Sequence, residues 1–449
     1  MQKKDKNYLF LILAHILIGI IVSGFPFFSK IYGYSIIFLG LYFVVKTRNK
    51  NNEVLYASAY IVGSEVFLRM TDGNPNYEFA KYGVMVFLFL GMFYSGFSKN
   101  AVPYWIYLLL LVPSVIIATN VLNVQTNIRT TIAFNISGPV CLGVASLYTY
   151  QRKITIQEIN NILLVMGLPI ITCATYLFLF TVNLKDEITS TGSNGTYSGG
   201  FGPNQVATIM GLGMFVFVSR LIISSRSKII FIVNLLLAAY ISFRGLLTFS
   251  RGGMVTGIGM LLTFMLFVYF NSKYKGKVKL NYLIIFLGII TLIVWTITSI
   301  STNGLIENRY SNKDALGRVK KDISTGREGL AEGELNMFLE NPIFGVGVAK
   351  GTEIRLEDTG AITASHDEIT RMLAEHGSLG IIALLILLFT PIILYLDNKH
   401  NIYLFSFVIF WLFTINHAAM RTAAPSFIYA LALLKVKIIP DEEPIIHRE

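Results

Sequence analysis

Apolar stretches follow one another along almost the whole chain, and they constrain its fold more than any other feature. They lie at about 8–24, 31–46, 54–69, 82–97, 103–118, 132–149, 159–182, 205–223, 228–247, 254–271, 280–300, 379–396, 402–418 and 424–439. A helix needs roughly 20 apolar residues to cross a bilayer, and within lipid it must satisfy its own backbone donors and acceptors. Charged residues make up only 14% of the chain, against about 25% in an ordinary soluble domain. The expectation is an all-α polytopic membrane protein of about 12–14 transmembrane helices, built as one bundle rather than several soluble domains.

The loops orient the spans. KTRNK (46–50), QRK (151–153), RLIISSRSK (220–228) and KYKGKVK (273–279) are basic, whereas SGFPFFSK and NVLNVQTNIRT on the other side carry at most one basic residue each. Lysine and arginine concentrate on cytoplasmic loops, so the N-terminus reads as inside. The net charge of +11 then belongs to topology and to contact with membrane lipids, and asks for no nucleic acid. The KKDK start followed by an apolar run resembles a signal sequence without a cleavage site, and reads as an uncleaved first span. Cys141 and Cys173 sit in apolar runs and suggest neither zinc nor a disulfide framework.

One connection is long. Residues 301–378 read as an extracytoplasmic loop carrying short helices, between an N-terminal bundle (1–300) and C-terminal helices with a cytoplasmic tail (379–449). STGREGLAEGELNMFLE (324–340) has helical spacing of Leu330, Leu335, Met337 and Phe338, and the Asn-Pro and glycines of NPIFGVGVAKG (341–351) break it. A second short helix then contains ASHDEITRMLAEHGSLG. The outer stretch 183–205, rich in Gly, Ser, Thr and Asn, reads as irregular backbone that covers or lines something.

The titratable groups gather on that outer side. Ser365-x-x-Glu368 before an apolar-periodic run is a capping-box pattern, which makes His366 the first helical residue and Gly377 the end of the helix. A positive helix end disfavours imidazolium, so His366 is expected neutral and able to accept a proton, and amides at the same end can face an anion. Arg251, in SRGG, opens the tenth span, and Gly252 and Gly253 allow a backbone or a bulky ligand to come close. Arg244 stands near the outer end of the ninth span and Arg327 near the start of the loop helix. A guanidinium fork suits phosphate oxygens. Each arginine alone reads equally as a headgroup anchor; three with a neutral histidine on one side read as a site. Glu65, inside the third span, is expected to pair with an arginine or face a cavity. There is no HExxH, Cys/His cluster, P-loop or GxSxG, and no spacing demands a metal.

SRGG, STGRE, NPIFGVG, SHDEITRMLAEHGSLG and a closing membrane segment occur here in one order. That order resembles the O-antigen ligase and O-antigen polymerase superfamily over about 200–390. The matching positions are Asn341, Pro342, Phe344, Gly345 and Gly347; His366; Leu373, Ala374, Glu375, Gly377 and Gly380; and Pro203 and Asn204 in FGPNQ. The resemblance implies a fold of the glycosyltransferase C type. It also implies transfer of a glycan from undecaprenyl diphosphate to a hydroxyl of a lipid or glycan acceptor (lipid A core or a growing polysaccharide chain), outside a bacterial cytoplasmic membrane and without metal or cofactor. By the same resemblance Arg251 and Arg327 hold the diphosphate and His366 is the base; Arg244 is added from its position. Ser365, Asp367, Glu368, Glu375 and Asn204 would support them. Many relatives carry asparagine after the histidine, whereas Asp367 stands here, and an acidic neighbour would raise the histidine pKa against the helix end. The motifs fit a ligase, a polymerase or a protein O-glycosylating enzyme. A transporter or flippase, the competing class, would place ionisable groups near the midplane of repeated halves.

Overall fold

The computed structural model describes residues 3–123, 127–181, 190–193, 195–225, 227–320, 327–360, 363 and 365–437. The helices are α1 (Lys3–Gly24), α2 (Phe28–Thr47), α3 (Glu53–Met70), α4 (Phe79–Ser95), α5 (Val102–Val121), α6 (Ile128–Thr149), α7 (Ile156–Phe180), α8 (Pro203–Ile223), α9 (Lys228–Leu247), α10 (Arg251–Phe270) and α11 (Tyr274–Ser301). The long connection adds α12 (Leu305–Tyr310), α13 (Arg327–Glu340) and α14 (Lys350–Thr359), and the chain ends with α15 (Glu368–Leu396), α16 (Leu404–Ile415) and α17 (Ala424–Ala432). Two strands, β1 (Lys153–Ile154) and β2 (Lys435–Val436), pair in parallel and tie the end of the chain to the basic α6–α7 loop.

Each of the fourteen apolar stretches coincides with a helix, and ten helices among the described residues are long and apolar enough to cross a membrane. The chain is an all-α multi-pass membrane protein. The last two helices are shorter than the sequence suggests, at 12 and 9 residues. They are wedged among other helices rather than facing lipid: Phe407, Phe410, Trp411, Phe427 and Tyr429 are all fully buried. A helix apolar all round belongs in such a place. One continuous core joins α1 to α17, with Phe215 of α8 edge-on to Phe264 of α10 and Tyr403 stacked on Phe264. The C-terminal helices therefore complete the N-terminal bundle.

Within the long connection, α13 follows the expected pattern and stops at Asn341-Pro342. Helix α14 was not evident from sequence. Helix α15 is two helices joined across a kink at Gly377 (φ 61°, ψ −140°), as the glycine leads one to expect. The NPIFGVG stretch docks onto that break through backbone bonds: Val346 N–H to the Ala374 carbonyl (2.9 Å), Gly347 N–H to the Glu375 carbonyl (3.2 Å) and Ser378 N–H to the Pro342 carbonyl (2.8 Å). A Cβ on Gly345 would strike the Glu375 backbone, and one on Gly377 the Ile343 backbone. The two glycine motifs thus form one unit.

Candidate active site

The site forms where α8, α10, the α16–α17 turn and the segment before α15 meet. On α10, a Cβ at Gly253 would collide with the Ala207–Thr208 backbone of α8, and one at Gly252 with the His417 ring. The close approach foreseen for these glycines is made by protein. It brings Ser250 to Asn204, whose side-chain carbonyl accepts a hydrogen bond from the Ser250 hydroxyl at 2.7 Å. The Asn204 amide donates in turn to the His417 carbonyl at 3.4 Å. Asn204 therefore ties the FGPNQ and SRGG elements to the His417 turn.

Arg251 projects from the first position of α10 and donates to the Asn312 side chain. Two further arginines join it. Arg309, on α12, is held by a 2.9 Å bond from Nε to the Phe249 carbonyl. Burial and then the charges of Arg251 and Arg327 press its pKa below the ordinary guanidinium value. Arg327, at the start of α13, is lowered by burial and by Arg251. Tyr197, Phe249 and Ile306 pack together beneath this group. Among the described residues no carboxylate is ion-paired with any of the three. Mutually repelling cations held without counter-ions form a ready receptor for a multivalent anion.

His366 lies beside this group. Its pKa falls to about 4, first through burial, then through the charges of Arg421, Arg327 and His417. The imidazole is thus neutral at pH 7, as expected, but for a different reason. Asp367, not Ser365, caps α15, accepting from Ile369 N–H at 2.8 Å, so His366 precedes the helix. The expected capping box is absent because both of its members are engaged elsewhere. The Ser365 hydroxyl donates to Glu334 at 3.2 Å. Glu368 is fully buried, pairs with Arg371 and accepts from Met420 N–H at 3.3 Å. Asp367 is spent on the cap, and it is not among the groups that shift His366. Its own carboxyl is raised, chiefly by burial and also by Glu334 and Glu368.

Glu334 of α13 organises this segment. Its carboxylate, 2% exposed, accepts from Arg355 (3.0 Å), Ser365 (3.2 Å) and Thr370 (2.6 Å). It stands two helical turns beyond Arg327, so one helix carries both an arginine of the cluster and the clamp for the histidine segment. Glu375 serves the fold: it accepts from Ala349 N–H at 3.0 Å and lies 3.6 Å from Arg371. Glu65 pairs with Arg69 at 2.7 Å and accepts from Ala423 N–H at 2.7 Å, buttressing the turn that carries His417 and Arg421.

The sequence reading placed Arg244 with the other arginines, but the structure sends it elsewhere. It is 1% exposed and its Nη2 donates at 2.6 Å both to the Leu177 carbonyl and to the Thr181 hydroxyl, satisfying the end of α7. Conversely, Arg309, His417, Arg421 and Glu334 escaped the sequence reading. His417 and Arg421 carried a signal: two ionisable groups where two apolar runs meet mark a functional turn. Residues 182–189, 194 and 321–326 lie outside the described residues, and with them the first part of the Gly/Ser/Thr-rich loop and the start of STGRE.

Residues 235–385 match the family model described as O-antigen ligase. Over those residues the chain is similar to the O-antigen ligase/polymerase superfamily. The O-antigen ligase match takes in Arg251, Arg309, Arg327, Glu334 and His366, while Asn204, His417 and Arg421 lie outside it. No curated protein matches the chain. The family match supports, broadly, a membrane glycosyltransferase of the O-antigen ligase or polymerase type.

Proposed function

We infer that this protein transfers a glycan from undecaprenyl diphosphate to a hydroxyl of a glycan or lipid acceptor on the extracytoplasmic face of a bacterial cytoplasmic membrane. The observation that carries the reading is the position of Arg327, which feels the charge of Arg251 and itself acts on His366. It joins an anion receptor to a neutral base.

The chemistry asks little else of the protein. The bond from the anomeric carbon to the diphosphate oxygen breaks, and its electron pair leaves on the diphosphate. The acceptor oxygen forms the new bond to that carbon, and its proton passes to His366. Arg251, Arg309 and Arg327 hold the leaving charge in a partly dry setting, where fixed donors count for more than in water. His366, kept neutral, supplies general-base catalysis. Neither role needs a metal. Arg244 has no part in it.

The test is transfer in proteoliposomes. Purified protein is mixed with a lipid-diphosphate-linked glycan extracted from the source cell and with acceptor. Free lipid diphosphate should appear in step with glycosylated acceptor. Glycan movement across the bilayer with no new glycosidic bond would make the protein a transporter instead. The product's acceptor (core lipid, polysaccharide end or protein) separates ligase, polymerase and protein glycosylation.

A further inference from the structure

We propose that the aromatic pair Tyr77–Phe134, with the polar cleft beside it, seats a sugar ring of the acceptor glycan next to His366. The inference rests on the transferase reading and extends it to the second substrate. Tyr77 lies in the α3–α4 connection and Phe134 in the second turn of α6, with ring centroids 5.5 Å apart. The two residues are 48% and 42% exposed. Many rings on this bundle are exposed because they face lipid, but these two border charge. The Arg69 guanidinium sits 4.2 Å from the Tyr77 ring centroid. Phe134 lines a cavity of about 40 Å³ together with Asn135, Thr352, Ser365, Arg371 and Arg421.

That combination has the chemistry of carbohydrate recognition. A pyranose presents an apolar C–H face, which suits an aromatic surface, and an equatorial rim of hydroxyls, which suits amide and guanidinium groups. A cavity of about 40 Å³ admits a hydroxyl or a water but no ring, so the ring would lie over the aromatics with one edge directed inward. Ser365 borders the cleft and His366 follows it in the chain. Arg421 also lines the cleft and is fixed to this segment by a 2.7 Å bond to the Ser365 carbonyl. Arg251, Arg309 and Arg327 do not line it. The donor's anionic end belongs with those arginines, and the cleft is left for the partner whose hydroxyl must reach the base.

Phe134→Leu and Tyr77→Leu are compared with wild type and with Phe134→Trp, which keeps an aromatic face. Initial rates are measured against varied acceptor and varied donor. Loss of one stacking contact should raise the acceptor KM about tenfold in each leucine variant. The donor KM should not follow, and Phe134→Trp should restore acceptor binding. An unchanged acceptor KM overturns the proposal, and so does a rise in the donor KM alone, which would assign the surface to the donor's glycan. A second readout needs no turnover: saturation-transfer NMR with oligosaccharides released by mild acid from the source cell's surface polysaccharide. Signals present with wild type and lost in the leucine variants support the subsite even where the transferase reading fails. No signal with wild type, or equal signal in all variants, overturns it.

Discussion

Arg421 donates a 2.7 Å hydrogen bond to the carbonyl oxygen of Ser365, the residue immediately before His366. A guanidinium from the α16–α17 turn therefore both anchors the histidine segment and biases its ring toward neutrality. The sign is fixed. His366 titrates near pH 4 in the folded protein, so its base form is complete at neutral pH and is lost only as pH falls through that region. The log of kcat/KM should stay level from pH 7 to about 5 and fall below, with an acid limb near the histidine value of about 4. Arg421→Ala removes one depressing charge and should move that limb upward. A limb that remains in place in this variant would contradict the assignment of His366 as the titrating base.

Arg309→Ala tests the receptor beyond its motif-borne members. Loss of one charge-assisted contact should raise the donor KM about tenfold, with a smaller effect on kcat. An unaltered donor KM would remove Arg309 from the site. Arg244→Lys serves as the contrast: its contacts are to the end of α7, so it should lower the unfolding midpoint in detergent while leaving donor KM near wild type.

Glu334→Gln keeps the shape of the clamp and removes its charge. The His366 segment then loses its grip on the helix that bears Arg327. Misplacement of a reacting group by about 1 Å can cost roughly a hundredfold, so kcat should fall by one to two orders of magnitude, by about tenfold to a hundredfold. A purely structural role would show only as lower stability, with kcat per folded molecule unchanged.

How far the sequence foretells this arrangement depends on the kind of constraint. The spans are legible because lipid demands unbroken apolar runs, and Gly377 because a glycine amid helical spacing is a natural stop. Arg251, Arg327 and His366 are legible by motif; Arg327 feels the charge of Arg251 and acts on His366. Asn204, Ser365 and Glu65 also stand out, but their partners are not legible, because those contacts join distant parts of the chain: Asn204 to Ser250, Glu334 to Ser365, Glu65 to Ala423. The capping-box reading failed because Glu368 satisfies Arg371 instead of reaching back to the helix start. Arg244 misled because position at a helix end does not reveal which way a side chain turns. Arg309, in IENRY among many charged residues, carried no local signal at all.

Gly377→Ala probes the joint between the two glycine motifs. Its backbone (φ 61°, ψ −140°) is one that other residues avoid, and a Cβ would meet the Ile343 backbone. The variant should lose roughly 2–4 kcal/mol of stability, read as a lower thermal unfolding midpoint in detergent. A midpoint equal to wild type would show that the NPIFGVG stretch can withdraw at no cost.

The most direct test of the central claim separates holding the diphosphate from accepting the proton. Equilibrium binding of the lipid-diphosphate-linked glycan and single-turnover transfer are measured on Arg251→Ala, Arg327→Ala and His366→Ala. Both arginine variants should bind the donor weakly. His366→Ala should bind it as wild type does while transfer slows by about 10²–10⁴-fold. Wild-type transfer by His366→Ala, or wild-type donor affinity in both arginine variants, would contradict the account.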